Sequence, residues 1–379
     1  MKSIATLPTC SGARVLIRVD YNVPFKGTKI VDARRIEASF STIDAVLKKG
    51  GMPILLAHLG KATESLRLIA TFLSKRYNIV FVDHDVYDDR INDILAQVPK
   101  GTVVLLQNIR RYEGEERNDI SFTKALARLG TYYINDAFSV SHRAHVSVVG
   151  LPKLLPSFAG FQLLAEIKAL APVLESPKHP FLFVLGGAKF STKIPLLKRF
   201  IKTADQVVIT GAVLNNFYQV SGFEVGESVV ESGYDKEIKT LLKSERLLLP
   251  VDVVVTQGGK KATCTPYEVQ SNDVIVDIGP QSIALIAAKI HKAKLVVWNG
   301  PTGWYEKGFT KGTVALAKAI AVGNARAIIG GGDTGAVVEK SLKESTNKKI
   351  FVSTGGGATL EYFAHGTLPG LKALEKSKK

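Results

Sequence analysis

The sequence predicts an α/β protein of two doubly wound, Rossmann-like parallel-sheet domains joined by a helix, with a cleft between them. Three observations carry that expectation. A chain of 379 residues exceeds what one hydrophobic core usually holds. Short runs rich in Val, Ile and Leu alternate with longer amphipathic segments, the rhythm of a parallel sheet covered by helices on both faces. Glycine-rich turns follow some of those runs directly, at Gly330-Gly-Gly-Asp-Thr334 and Ser353-Thr-Gly-Gly-Gly-Ala358. At such strand-to-helix junctions unpaired N–H groups and the helix dipole favour an anion.

In the first half the apolar runs are Arg14–Asp20, Met52–Leu56, Ile79–Val82, Thr102–Leu106 and Tyr132–Ile134. In the second half they are Phe181–Leu185, Gln206–Thr210, Val251–Val255, Val274–Asp277, Leu295–Trp298, Ala327–Ile329 and Ile350–Val352. Each set suffices for one sheet. Between them Phe158–Leu170 has a helical pattern bounded by Pro156 and Pro172, which reads as a connecting helix. The expected division is 1–157, a linking helix over 158–175, a second domain over 176–362 and a tail over 363–379.

Composition narrows the function classes. Hydrophobic residues at 46% and charged residues at 22% describe a globular chain, with no 18-residue apolar run for a membrane span. Met1–Cys10 turns polar too soon for a signal peptide, so a cytoplasmic protein is expected. Two distant cysteines, Cys10 and Cys264, exclude a disulfide framework and a cysteine metal cluster. The net charge of +16 attracts anions, but the basic residues are scattered and no zinc finger or RNA-binding signature occurs, so no specific nucleic-acid partner is expected.

Ligands of doubly wound sheets bind beyond the carboxyl ends of the strands, and the two halves differ there. The first half offers Asp20, Asn22, His58, Asn108, Arg110 and Asn135-Asp136, followed by His142-Arg143-Ala-His145, with Arg35 before an apolar helix. Arginine forks and histidines suit a small acid bearing phosphate. The second half offers Gly186-Gly-Ala-Lys189, Lys193 one helical turn on, and Asp333 at a strand-to-helix turn where it could hold Mg²⁺. Gly330-x-Gly332-x-x-Gly335 matches the dinucleotide fingerprint literally, yet the next strand ends in Ser353-Thr354 where a ribose-binding acid is needed. A nicotinamide cofactor is therefore disfavoured. The P-loop ending Gly-Lys-Ser/Thr is absent. An acid site on one domain and a Mg-nucleotide site on the other point to phosphoryl transfer, which needs charge neutralisation and exclusion of water more than covalent chemistry.

The ordered blocks Arg18-Val-Asp-Tyr-Asn-Val-Pro24, Ala57-His-Leu-Gly60, Ile134-Asn-Asp-Ala-Phe138, Gly186-Gly-Ala-Lys189, Trp298-Asn-Gly-Pro301, Gly330–Thr334 and Ser353–Ala358 resemble the phosphoglycerate kinase family along essentially the whole chain. The resemblance implies reversible transfer of the acyl phosphate of 1,3-bisphosphoglycerate to MgADP, giving 3-phosphoglycerate and ATP, by direct in-line transfer in a cleft closed by hinge bending of a monomer. It implies that Asp20, Asn22 and Arg35 bind the glycerate end, with His58, Lys61, Arg110 and Arg143 on its phosphate. Lys189 and Arg35, with backbone N–H groups of Gly332 and the Gly355-Gly356-Gly357 turn, would neutralise the phosphoryl group in flight. Gly187, Lys193, Gly211, Gly279, Asn299, Pro301, Glu306 and Thr334 fall on the nucleotide side, Asp333 on Mg²⁺, and the tail would return to the first domain.

Three departures stand out. Lys61 occupies a position where the family usually carries arginine, in a loop shorter than usual. That keeps the charge, loses the fork, and leads us to expect weaker or more salt-sensitive binding of 3-phosphoglycerate. Thr210-Gly-Ala212 replaces three glycines, so a methyl at Ala212 is expected to narrow the base pocket. Gln107 stands where glutamate is usual, with no consequence evident from sequence.

Overall fold

The structure, a computed structural model, describes all residues except Lys343, Glu344, Thr346, Lys378 and Lys379, and the side chains of Asp333, Ala336, Glu339 and Lys340 are outside the description. The chain forms two compact units, Met1–Lys168 with Thr367–Lys379, and Ala169–Gly366. No helix among the described residues is long and apolar enough to cross a membrane.

The first unit is built on strands β1 (Arg14–Arg18), β2 (Met52–Leu56), β3 (Ile79–Val82), β4 (Val103–Leu106), β5 (Tyr132–Asn135) and β6 (Ser157–Ala159). They form one parallel sheet in the order β3-β4-β2-β1-β5-β6. Central strands are apolar on both faces, as in Val103–Leu106, because helices cover both sides. The strand order reverses between β1 and β5, so the residues that follow those strands gather at the switch point. The helix Pro369–Glu375 belongs to this unit: Gly370 N–H donates to the Ser141 carbonyl at 2.8 Å, and a side chain at Gly370 would collide with Val148.

In the second unit β7 (Phe181–Leu185), β8 (Gln206–Ile209), β9 (Leu247–Leu248), β13 (Leu295–Asn299), β14 (Arg326–Gly330) and β15 (Ile350–Val352) make a parallel sheet ordered β9-β8-β7-β13-β14-β15. The intervening strands β10 (Val253–Gln257), β11 (Lys260–Cys264) and β12 (Val274–Ile278) form a separate antiparallel sheet.

Three sequence expectations are corrected. Val253–Gln257 and Val274–Ile278 are apolar enough for the main sheet but pair with each other. Gly258 and Gly259, both at positive φ (+54° and +84°), fold β10 back on β11 as a two-residue hairpin. That Gly-Gly pair was the legible signal. The linking helix runs over Phe161–Glu175, because Ser157–Ala159 is drawn into the sheet edge by β5. Pro172 sits inside it rather than ending it. The division between the two units falls within this helix.

Candidate active site

In the first unit the polar residues after β1, β2, β4 and β5 converge. Arg35 Nη1 pairs with Asp20 Oδ2 at 3.0 Å and donates to the Asn22 carbonyl at 3.2 Å, while Ser139 donates to the same Asp20 oxygen. The Asn22 side-chain oxygen accepts Gly60 N–H at 3.0 Å, linking the β1 end to the β2 end. Arg110 donates to the Gly60 carbonyl at 2.8 Å and pairs with Glu116 at 3.1 Å. His58 is 2% exposed, and its basicity is pressed far below the ordinary imidazole value by burial first, then by the charges of Arg18, Arg110, Arg143 and Arg35. Four arginines thus act on one buried imidazole, a field that calls for an anion. Burial also lowers His145, to about 4, with Arg143 adding to it.

Sequence reasoning passed over the network beneath this site. Arg18, the last residue of β1, is buried; its Nε donates to Ser147 Oγ at 2.8 Å and its Nη2 meets His58 Nδ1 at 3.1 Å. Ser147 in turn donates N–H and O–H to the buried Glu115 carboxylate. Burial pushes Glu115 up, opposed by Arg18 and the Ser147 bonds. An arginine inside an apolar run was the available signal, since a buried charge requires a partner.

The loop after β2, which carries Lys61, is fastened by Asn108 and Gln107. Asn108 Nδ2 donates to the carbonyls of Leu59 (2.7 Å), Lys61 (3.0 Å) and Glu64 (2.9 Å). Gln107 accepts Leu66 N–H at 2.9 Å and donates to Ser65 Oγ at 3.0 Å. An amide can do both, whereas an ionised glutamate only accepts, so Gln107 has a role after all.

In the second unit an apolar cavity of about 310 Å³ is walled by Gly211, Ala212, Ile278, Pro301, Tyr305 and Glu306, among others. Adjoining it is a hollow of about 290 Å³ lined by Lys189, Lys193, Asn299, Gly331, Thr334, Gly356 and Gly357. Gly187, Ala188 and Pro301 line both. Asn299 Nδ2 and Thr334 Oγ1 are buried without a hydrogen-bond partner among the described residues. A Cβ at Gly330 would lie 2.9 Å from Asn299 Nδ2 and one at Gly331, whose φ is +107°, 3.2 Å from Thr334 Oγ1, so glycine keeps these groups open. Lys193 is 7% exposed; burial lowers its pKa, Glu231 raises it and Lys189 lowers it again. An apolar chamber continuous with a cationic, glycine-walled hollow has the form of a nucleoside polyphosphate.

One nucleotide-side expectation, Gly279, and one phosphoryl-neutralising expectation, Gly355, fall outside these walls. Gly279 begins the helix Pro280–Lys292 with Asp252 packed where its side chain would be, and does not line the cavity. The Gly355 N–H already donates to Ser353 Oγ at 3.0 Å, leaving Gly356 and Gly357 to face the hollow. Gly332 and Asp333 open the helix Gly332–Leu342, but the Asp333 carboxylate lies outside the described residues.

An arginine-bearing switch point on one parallel sheet and a nucleotide-shaped chamber on another define the class, a two-unit α/β phosphotransferase. The family model for phosphoglycerate kinase matches residues 5–365. The phosphoglycerate kinase of Syntrophobacter fumaroxidans is 40% identical over 99% of both chains, and that of Dictyoglomus turgidum 39% over 96% of both. Among solved structures, the phosphoglycerate kinase of Coxiella burnetii superposes with a TM-score of 0.84 at 34% identity, covering 99% of each chain. The enzyme of Pyrococcus horikoshii gives 0.86 at 28% identity, covering 99% of this chain and 98% of that one. The chain belongs to the phosphoglycerate kinase family.

Proposed function

We propose that this kinase transfers the acyl phosphate of 1,3-bisphosphoglycerate reversibly to ADP, yielding 3-phosphoglycerate and ATP. The observation that carries the reading is the pairing of the apolar cavity with the lysine-bearing hollow, which share Gly187, Ala188 and Pro301. Asp20, Asn22 and Arg35 would hold the glycerate end of the acid, and His58, Lys61, Arg110 and Arg143 its phosphate. The base would fill the cavity beside Gly211 and Ala212, Glu306 would reach the ribose, and Lys193, Asn299 and Thr334 would take the phosphates. Lys189 and Arg35, with the N–H groups of Gly332, Gly356 and Gly357, would neutralise the transferring group, whose charge is spread over three oxygens.

Mg²⁺ fits this site as a guest of the nucleotide. Magnesium is usually bound by one or two carboxylates plus phosphate oxygens, and no group of three or more metal-ligating side chains occurs among the described residues. Asp333 would hold it beside the orphaned Thr334 hydroxyl, and the ion would offset phosphate charge. Direct transfer requires the acid and the nucleotide to meet with water excluded, so closure of the two units is part of the proposal; compaction by small-angle scattering when both substrates bind tests it. We also propose that the enzyme works as a cytoplasmic monomer, which its two free thiols suit.

The deciding experiment is a coupled assay with several nucleoside triphosphates. ATP should be consumed only when 3-phosphoglycerate is added. Consumption independent of that acid would overturn the reading.

A further inference from the structure

We infer that Glu231 is a positioning residue for Lys189 and Lys193, and that it ties the loop carrying them to the wall of the base cavity; the inference rests on the kinase reading above. The lysines stand on a segment that leaves the sheet through Gly186 and Gly187, the latter at φ +85°. Its first two amides are fixed by the main chain: Gly186 N–H donates to Asn299 O at 2.7 Å and Gly187 N–H to Pro301 O at 3.0 Å. Past Ala188 the anchor is a side chain 41 residues from Phe190 and 40 from Ser191. Phe190 N–H donates to Glu231 Oε1 at 3.1 Å and Ser191 N–H to Oε2 at 2.9 Å. Each carboxylate oxygen takes one amide, a charge-assisted fork over the turn Ser191–Lys193 that leads into the helix Ile194–Thr203. The same charge supports the buried Lys193 ammonium against burial and against Lys189.

Glu231 is itself held by the element that walls the base cavity. Asn216 Nδ2 donates to the Glu231 carbonyl at 2.7 Å and Asn215 Nδ2 to the Val229 carbonyl at 3.0 Å, both from the helix Val213–Val220. Asn215 and Val229 line the cavity, as do Gly211 and Ala212 at the start of that helix. A base that fills the cavity therefore presses on the three-residue segment 229–231, whose far end grips the lysine loop. The bond chain is continuous from cavity wall to phosphate lysine, and the Glu231 side chain is its single charged link.

Glu231→Ala removes both acceptors, and Glu231→Gln keeps one oxygen while removing the charge. In the coupled assay the Ala variant should lose about tenfold or more in kcat, because small misplacements of transition-state groups are costly. The Gln variant should fall between, and KM for 3-phosphoglycerate should stay unchanged in both. Adenosine alone should slow hydrogen exchange of the Phe190 and Ser191 amides in the wild type and not in Glu231→Ala. An unchanged kcat in the Ala variant, or equal slowing by adenosine in both proteins, would overturn the inference. Wild-type protein without 3-phosphoglycerate-dependent turnover would instead sink the kinase reading, and the exchange arm would still judge Glu231.

Discussion

His58 Nδ1 lies 3.1 Å from Arg18 Nη2, with both side chains buried. A guanidinium nitrogen can only donate, so Nδ1 must accept and the imidazole proton must sit on Nε2. Burial and four neighbouring arginines keep the ring neutral. His58 is therefore built to offer one fixed N–H rather than a proton.

Nitrogen NMR of His58 should accordingly show the neutral Nε2–H form from pH 8 down to pH 5. The folded ring is far less basic than the unfolded one, so its contribution to stability is present above about pH 6.5 and is lost as the pH falls. A titration of His58 near pH 6.5 would contradict this arrangement.

Asp136 carries the opposite sign. It is buried after β5, accepts Gln162 N–H at 2.8 Å at the start of the linking helix, and burial pushes its carboxyl up to about 7. The unfolded group ionises near 4, so the stability tied to this proton is full below that pH and is lost as pH rises to about 7. Asp136→Asn keeps an accepting oxygen and should exceed wild type in urea stability at pH 8 by ~1–2 kcal/mol, with a smaller gain at pH 5. An equal difference at both pH values would refute the assignment.

Lys61 sits on the loop that Asn108 and Gln107 pin by its backbone, so the loop's shape does not depend on the Lys61 side chain. Lys61→Arg should restore a fork and lower KM for 3-phosphoglycerate by roughly fivefold, about 1 kcal/mol, with weaker salt dependence. An unchanged KM at both low and physiological salt would show that the loop does not reach the substrate phosphate.

Lys189 lines the phosphate hollow, where its charge is needed most as the phosphoryl group moves. Lys189→Ala should lower kcat by about 10²–10³ while KM for either substrate changes much less. Parallel losses in binding and turnover would assign Lys189 to ground-state binding.

Strand positions were legible because short apolar runs record burial on both sheet faces, and nearly every run named from sequence became a strand at the same place. The candidate site was legible for the same local reason, since Asp20, His58 and Arg110 each come just after a strand. Partner choice was not. The run Val253–Gln257 could not declare whether it would join the parallel sheet or pair with Lys260–Cys264, because both arrangements bury the same valines and only the Gly258-Gly259 turn favours one.

By itself, the sequence determined the α/β class, the strand-end chemistry and, through its ordered motifs, the family. Tertiary structure alone decided that Arg18 would neutralise its burial through Ser147 and Glu115, that Gln107 would brace a shortened loop, and that Glu231 would grip amides 40 and 41 residues away. The physical reason is one of range. Periodicity and turn chemistry act over a few residues, whereas a buried charge or an unpaired amide is satisfied by whichever group the folded chain brings within about 3 Å.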